Sequence, residues 1–250
     1  MTDPRLAYAL ARLGARHADV GRGAERAALS ASRGAERYLE VLRQTRLLAP
    51  PESVTARDVD AFELYLAGAW RAACEELARW HPPRWRPAYR WCAVLVDLPV
   101  LESLRGPAVP GRWALGDPRL APLASAGDVE RPRAFAAAGL APLVAAYGSG
   151  APLAPAWRAH WRALWPHPAR AVASRLTALE SLLEGAARAP GPLAERRAGL
   201  AARLERCYRR SQGTPAAGFC ELARRALDLE TWRGGFAARL YRPAAPGVAP

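Results

Sequence analysis

Apolar residues recur along this chain at three- and four-residue steps, a spacing that predicts helix after helix with no strand between them. The first helix follows Asp3-Pro4, a cap and then proline at the first helical position, and carries Leu6, Leu10 and Leu13 to about His17. After a glycine-containing loop from Val20 to Gly23, a second segment sets Tyr38, Leu39, Leu42 and Leu47 or Leu48 on one face. Pro50-Pro51 ends it. Thr55-Ala56-Arg57-Asp58 fits a capping box ahead of a helix with Val59, Phe62, Leu66, Ala69, Trp70, Ala73 and Leu77, terminated by His81-Pro82-Pro83. Pro87 fits the first turn of the next helix, which holds Tyr89, Cys92, Ala93 and Val96; Pro99 breaks or kinks that helix unless Asp97 caps a fresh segment from Leu98, and a kink near Asp97 is the favoured reading.

Residues Gly106 to Asp128 are rich in Pro and Gly and keep no period, which predicts a connector. Beyond it a helix near Arg133 bends at Pro142, and a loop runs from Gly148 to Pro155. Trp157, Trp161, Leu164 and Trp165 then form a helical stripe cut off by Pro166-His167-Pro168. A helix from about Ala169 to Ala189 carries Val172, Leu176, Leu179, Leu182 and Leu183. After Pro190-Gly191-Pro192 comes a segment with Leu193, Leu200, Leu204 and Tyr208. Thr214-Pro215 opens the last helix, with Phe219, Leu222, Ala226, Leu229, Trp232 and Phe236, and a Pro/Ala-rich tail follows Arg242. β-Branched residues are scarce and period-two alternation is missing, so the expected class is all-α, a multi-helix single body.

Two stretches look alike. Arg84 to Arg105 and Ala216 to Tyr241 each carry an apolar run with one cysteine, then an acidic residue among leucines, Asp97 or Asp228, and close on apolar residues and Arg. Upstream of each lies a second similar pair, Phe62 to Gly68 containing Glu63 and Leu179 to Gly185 containing Glu180. The order reads as an internal duplication: residues 1–107 and 129–242 as diverged helical repeats, 108–128 as connector and 243–250 as a flexible tail. A buried carboxylate must be paired, so Asp97 and Asp228 are each expected to meet an arginine of their own repeat, such as Arg90 or Arg224. Glu63, Asp97, Glu180 and Asp228 are the candidate structural residues.

Composition changes this picture in one respect. All 36 basic residues are Arg, and Lys, Ile and Asn are absent, the mark of GC-rich coding that discounts arguments from Arg, Ala, Gly, Pro or Trp abundance. The net charge of +13 still favours an anionic partner, whether an acidic protein surface, lipid headgroups or nucleic acid. A solvated Arg-rich exterior is the plainer reading. No apolar run approaches the roughly 20 residues of a membrane span. The opening MTDPRLAYALARLGARH lacks the basic and apolar regions of a signal peptide, so a cytoplasmic location is expected. Cys74, Cys92, Cys207 and Cys220 lack CxxC spacing and are expected to be small buried hydrophobes.

Chemistry is sparse. Phosphate-loop, HExxH and GxSxG patterns are missing. His160 and His167 lie seven apart, but Pro166 intervenes and no third ligand accompanies them, so they read as surface or Trp-packed. Asp58, Asp60 and Glu63 read as caps and a solvated first turn. The tract Trp80, Arg84, Trp85, Arg86, Arg90, Trp91 has two readings: a stacking surface for single-stranded nucleic acid, or a helix junction with Arg stems over packed Trp rings. Catalytic, cofactor and metal residues are therefore assigned to none of these positions, and no small-molecule substrate is expected.

In its order of segments the chain resembles the central-stalk adaptor family of the V-type (A/V-type) rotary ATPases, the subunits lettered C, or d in eukaryotic complexes. The resemblance rests on Leu6-Ala7-Tyr8-Ala9-Leu10-Ala11-Arg12, on Tyr38-Leu39-Glu40-Val41-Leu42-Arg43-Gln44-Thr45, on Asp97 to Arg105 and on Ala226 to Arg233. It covers about 200 residues in order and has two repeats where the family has three. It implies a non-catalytic central-stalk adaptor, peripheral on the cytoplasmic face of the inner membrane. Such a protein seats the foot of the rotating stalk on the membrane ring for proton or other ion transport. Arg on its rim would meet polar loops of the ring or anionic lipid headgroups. The alternative is an Arg/Trp-rich helical nucleic-acid-binding protein.

Overall fold

A computed structural model describes residues 3–18, 22–45, 48–106, 111–127, 129–167 and 169–241. The protein is an all-α single body. The helices run in order α1 (Pro4–Ala18), α2 (Arg22–Ala31), α3 (Ala35–Gln44), α4 (Val59–Trp80), α5 (Arg86–Trp91), α6 (Leu98–Ser103) and α7 (Arg112–Gly116). There follow α8 (Ala121–Ser125), α9 (Arg131–Ala137), α10 (Val144–Gly148), α11 (Leu153–Ala163), α12 (Arg170–Arg188), α13 (Leu193–Ser211) and α14 (Ala216–Tyr241). Among the described residues, none of these helices is long and apolar enough to cross a membrane.

The body is built around α14. Its first seven residues, Ala216 to Leu222, are buried on every side, and thereafter only Asp228, Leu229, Trp232 and Phe236 are buried. A helix buried all round at one end and along a stripe at the other must start inside the body and emerge along its surface. It packs on α1, α3 and α4 from the first half and on α12 and α13 from the second, so the two halves share one core. Small residues let the backbones approach. A Cβ added to Gly235 would lie 2.5 Å from the Tyr38 hydroxyl, and one added to Gly218 would lie 2.8 Å from His81 Cε1. The Phe62 and Phe236 rings meet at 4.4 Å, and Tyr89 stacks on Phe219 at 4.0 Å while its hydroxyl donates to the Pro215 carbonyl at 2.6 Å.

Local chemistry sets most helix ends. Asp58, rather than Thr55, caps α4: its carboxylate accepts from the Ala61 N–H at 2.8 Å, so the predicted box is a single-residue cap. The second segment is broken at residues 32–34, giving α2 and α3, because Gly34 adopts φ 77 there. Tyr38, Leu39 and Leu42 are buried as expected, and Leu48 is buried outside the helix. Residues 19–21, Arg46, Leu47 and the tail after Tyr241 lie outside the described residues. Pro87 and Pro99 sit in the first turns of α5 and α6, with a 3-10 turn at Cys92–Val96 between them. A fresh helix therefore starts at Leu98 in place of a kinked continuation, with Asp97 at its N-cap position making no side-chain cap bond.

The stretch read as a connector carries α7 and α8. Their Ala114, Leu120 and Leu123 are fully buried, so short helices whose apolar residues are too few to set a period still join the core. The two matched stretches follow different courses. Residues 84–105 form a succession of short helical pieces, whereas Ala216–Tyr241 is one continuous helix.

Candidate groove along the last helix

On one face of α14, Phe219, Leu222, Ala223, Ala226, Leu229, Glu230 and Arg233 follow at three- and four-residue steps and floor an open groove. Its two parts, of about 480 and 390 Å³, share Trp70, Leu95 and Ala226 and so run into each other. One wall comes from α4, the 3-10 turn and α6, with Glu63, Leu66, Val96 and Val100. The other comes from α11 and α12, with Trp157, Trp161, Leu179 and Leu183. From Phe219 to Arg233 the floor is about 21 Å long at 1.5 Å per residue. Leu95 and Leu183 stand at the rim, 37% and 39% exposed.

The groove ends are held by ion pairs. Glu63 receives the Arg233 guanidinium at 2.9 Å, and Arg233 also bonds Glu230. Burial pushes the Glu63 carboxyl up, and the Arg233 charge and hydrogen bond pull it back only in part. At the other end Glu180, 7% exposed, is clasped by Arg162 at 2.6 Å and faces Arg158 at 3.1 Å, while Arg158 also bonds Glu184. The Glu63–Arg233 pair ties the α4 wall to the α14 floor, and the Arg162–Glu180 pair ties together α11 and α12 within the other wall.

The other two predicted residues lie away from the groove. Asp97 is fully buried and meets Arg71 of α4 at 2.6 Å; Arg71 is shared with buried Asp117. The second oxygen of Asp97 faces Arg119 at 3.4 Å without hydrogen-bond alignment. Burial raises the Asp97 carboxyl, opposed by the Arg71 and Arg119 charges. Asp228 sits on the opposite face of α14, where Arg26 of α2 reaches it at 2.6 Å. The expected partners are thus corrected. Arg90 projects outward to Glu75 at 2.8 Å, and Arg224, one turn before Asp228, bonds Glu221 at 3.0 Å. For Asp228 the arginine comes from the first half of the chain, because α2 and α3 pack beside α14.

The structure also decides how the Trp/Arg tract is used. Trp85 and Trp91 are buried, and Trp91 and Trp157 each donate their indole N–H to the other's carbonyl, at 2.9 and 3.1 Å. Trp80 lies under the guanidinium groups of Arg12 and Arg16, each 5.1 Å from its ring. These rings form a helix junction. His160 packs edge-on against Trp91 at 4.5 Å. Of the cysteines, Cys74, Cys92 and Cys220 are buried, whereas Cys207 is only half-buried and departs from the expectation. Among the described residues no cluster of three or more His, Cys, Asp or Glu could hold a metal ion.

No protein-family model, curated protein or solved structure matches this chain.

What reading by spacing missed is the pairing across turns. Cys207 and Cys220 stand equally far from the turn between α13 and α14, so an antiparallel hairpin brings them together, and that symmetry was available in the numbering alone.

Proposed function

We propose that the protein is a non-catalytic helical adaptor that seats a partner helix in the groove along α14, as a central-stalk adaptor of a V-type rotary ATPase would. The observation that carries this reading is the groove itself: a floor about 21 Å long whose apolar part, Phe219 to Leu229, runs about 15 Å, enough for nearly three turns of a partner helix, before it ends on Glu230 and Arg233. Rim leucines at its edge and ion pairs near its two ends give it the character of a seat for an amphipathic helix. The resemblance to the V-type central-stalk adaptors supplies the partner, the foot of the rotating stalk. Torque transfer needs stiffness, and the inter-helix pairs of Glu63, Asp97, Glu180 and Asp228 with arginines tie the helices that would have to slide. On this reading the chain is cytoplasmic and peripheral on the inner membrane, and its excess positive charge meets ring loops or anionic headgroups.

The nucleic-acid alternative keeps the +13 charge as its support, but a base cannot stack on Trp85 or Trp91 while those rings are buried. Affinity purification of the tagged chain from detergent-extracted membranes of its source cells tests the proposal. ATPase head, stalk and ring proteins in stoichiometric amount support it; recovery of the chain without them overturns it.

A further inference from the structure

Between α12 and α13 lies a pocket of about 280 Å³, separate from the groove. Arg175, Arg203, Arg206 and Arg210 line it, together with Cys207 and Ser211, and no carboxylate does. Arg206 and Arg210 make no hydrogen bond or ion pair with a described residue, so their charges are uncompensated locally. Behind Cys207, the thiol of Cys220 on α14 donates to its sulfur at 3.2 Å, and Cys220 is itself fully buried. Four cations, a half-buried thiol and a second thiol directly behind it make a combination that simple packing does not require.

We propose that this pocket is a thiol-exchange site for small anionic disulfides, with Cys207 the attacking thiol and Cys220 the resolving one. The order follows from burial. An external disulfide can reach only Cys207, because Cys220 has no exposed surface. In the first step the Cys207 thiolate attacks one sulfur of R–S–S–R, a Cys207–S–S–R bond forms, and R–S⁻ leaves. In the second step the Cys220 sulfur attacks Cys207 Sγ, its proton passes to the departing R–S⁻, and R–SH leaves. The dithiol loses two electrons and the small disulfide gains them.

Electrostatics favour this direction. The hydrogen bond from Cys220 draws the Cys207 thiol down to about 7, helped by Ser211 and the Arg210 charge and opposed by burial. The same contact, then burial and the nearby Glu221, push Cys220 far up, so it stays a protonated donor until the first step consumes its acceptor. The charged groups facing the pair are Arg175 from α12, Arg203, Arg206 and Arg210 from α13, and Glu221 from α14. Carboxylates on R would sit among the arginines, concentrating the reagent at the thiol.

The test uses the reduced full chain at low salt with three probes at equal concentration: oxidised glutathione, neutral 2-hydroxyethyl disulfide and cationic cystamine. Peptide mapping follows formation of the Cys207–Cys220 bond. Oxidised glutathione should form it at least about tenfold faster than the neutral probe, the scale of electrostatic focusing. The advantage should disappear in Arg206→Ser/Arg210→Ser, whose replaced side chains are exposed. Cys220→Ser should stop at the Cys207 mixed disulfide, and Cys207→Ser should not react. Equal rates for the three probes, equal reactivity of Cys207→Ser and the parent, or capture at Cys74 or Cys92 instead would each overturn the proposal.

Discussion

Acidification should weaken the protein through one imidazole. His81 stands at the end of α4 with no exposed surface. The Leu77 carbonyl accepts from Nδ1 at 2.8 Å, and Nε2 is buried without a partner against Tyr89, whose ring is 4.3 Å away, and Gly218. A proton on Nε2 would therefore be a desolvated charge, and burial lowers the His81 pKa from 6.5 to about 4, only partly offset by the Leu77 bond. The folded state takes up this proton less readily than the unfolded chain. Stability is present in full above pH 6.5 and is lost as the pH falls toward 4. By pH 5 the unfolded imidazole is charged and the folded one is not, a loss of about 2 kcal/mol at 1.36 kcal/mol per unit. Urea unfolding at pH 7.5 and 5.0 measures it, with His81→Gln as reference because its side chain is neutral at both pH values. Asp97 and Glu63, whose carboxyls are raised, stabilise the fold on acidification, and the comparison cancels them. The parent should lose about 2 kcal/mol more than His81→Gln. A difference within about 0.5 kcal/mol, the usual error of such cycles, would refute the reasoning.

Gly218→Ala should lower the thermal midpoint, costing about 1–3 kcal/mol of overpacking against Tyr89 and His81 despite the better helix propensity of Ala. Arg71→Met should cost about 3–5 kcal/mol at pH 7, since it leaves Asp97 and Asp117 buried together. Because burial raises the Asp97 carboxyl and the variant removes the opposing Arg71 charge, part of that loss should return in urea titrations at pH 5. Leu95→Glu should leave the unfolding transition within about 1 kcal/mol, as a rim change does; under the proposal that the groove seats a stalk helix, it should weaken binding of that protein by at least about thirtyfold in calorimetry.

Long helices with unbroken stripes were legible in the sequence: α4, α12, α13 and α14 fall where leucines and aromatics recur and where prolines stop them. The break between α2 and α3 was hidden because Ser32-Arg33-Gly34 carries no proline, and the turn depends on one glycine with positive φ. The short helices α7 and α8 have too few residues for a period to register, yet Leu120 and Leu123 are buried as deeply as any core leucine. Asp97 and Asp228 were identified as paired, but their partners were not; Glu63, read as part of a solvated first turn, is instead largely buried against Arg233, because α14 packs over that face of α4. Which arginine arrives depends on how helices distant in sequence pack, as Arg26 on Asp228 illustrates across 202 positions. The groove was legible only as a stripe on α14, since its walls come from elements far apart in the chain.

A photo-reactive residue at Leu183, on the groove rim, addresses the central claim most directly, with the same residue at Val129, 92% exposed and away from the groove, as control. Illumination of native membranes should join position 183, and not 129, to a helix of the rotary ATPase central stalk. Adducts at 183 that contain no ATPase component, or equal capture of the stalk at 129, would contradict the assignment of the groove as its seat.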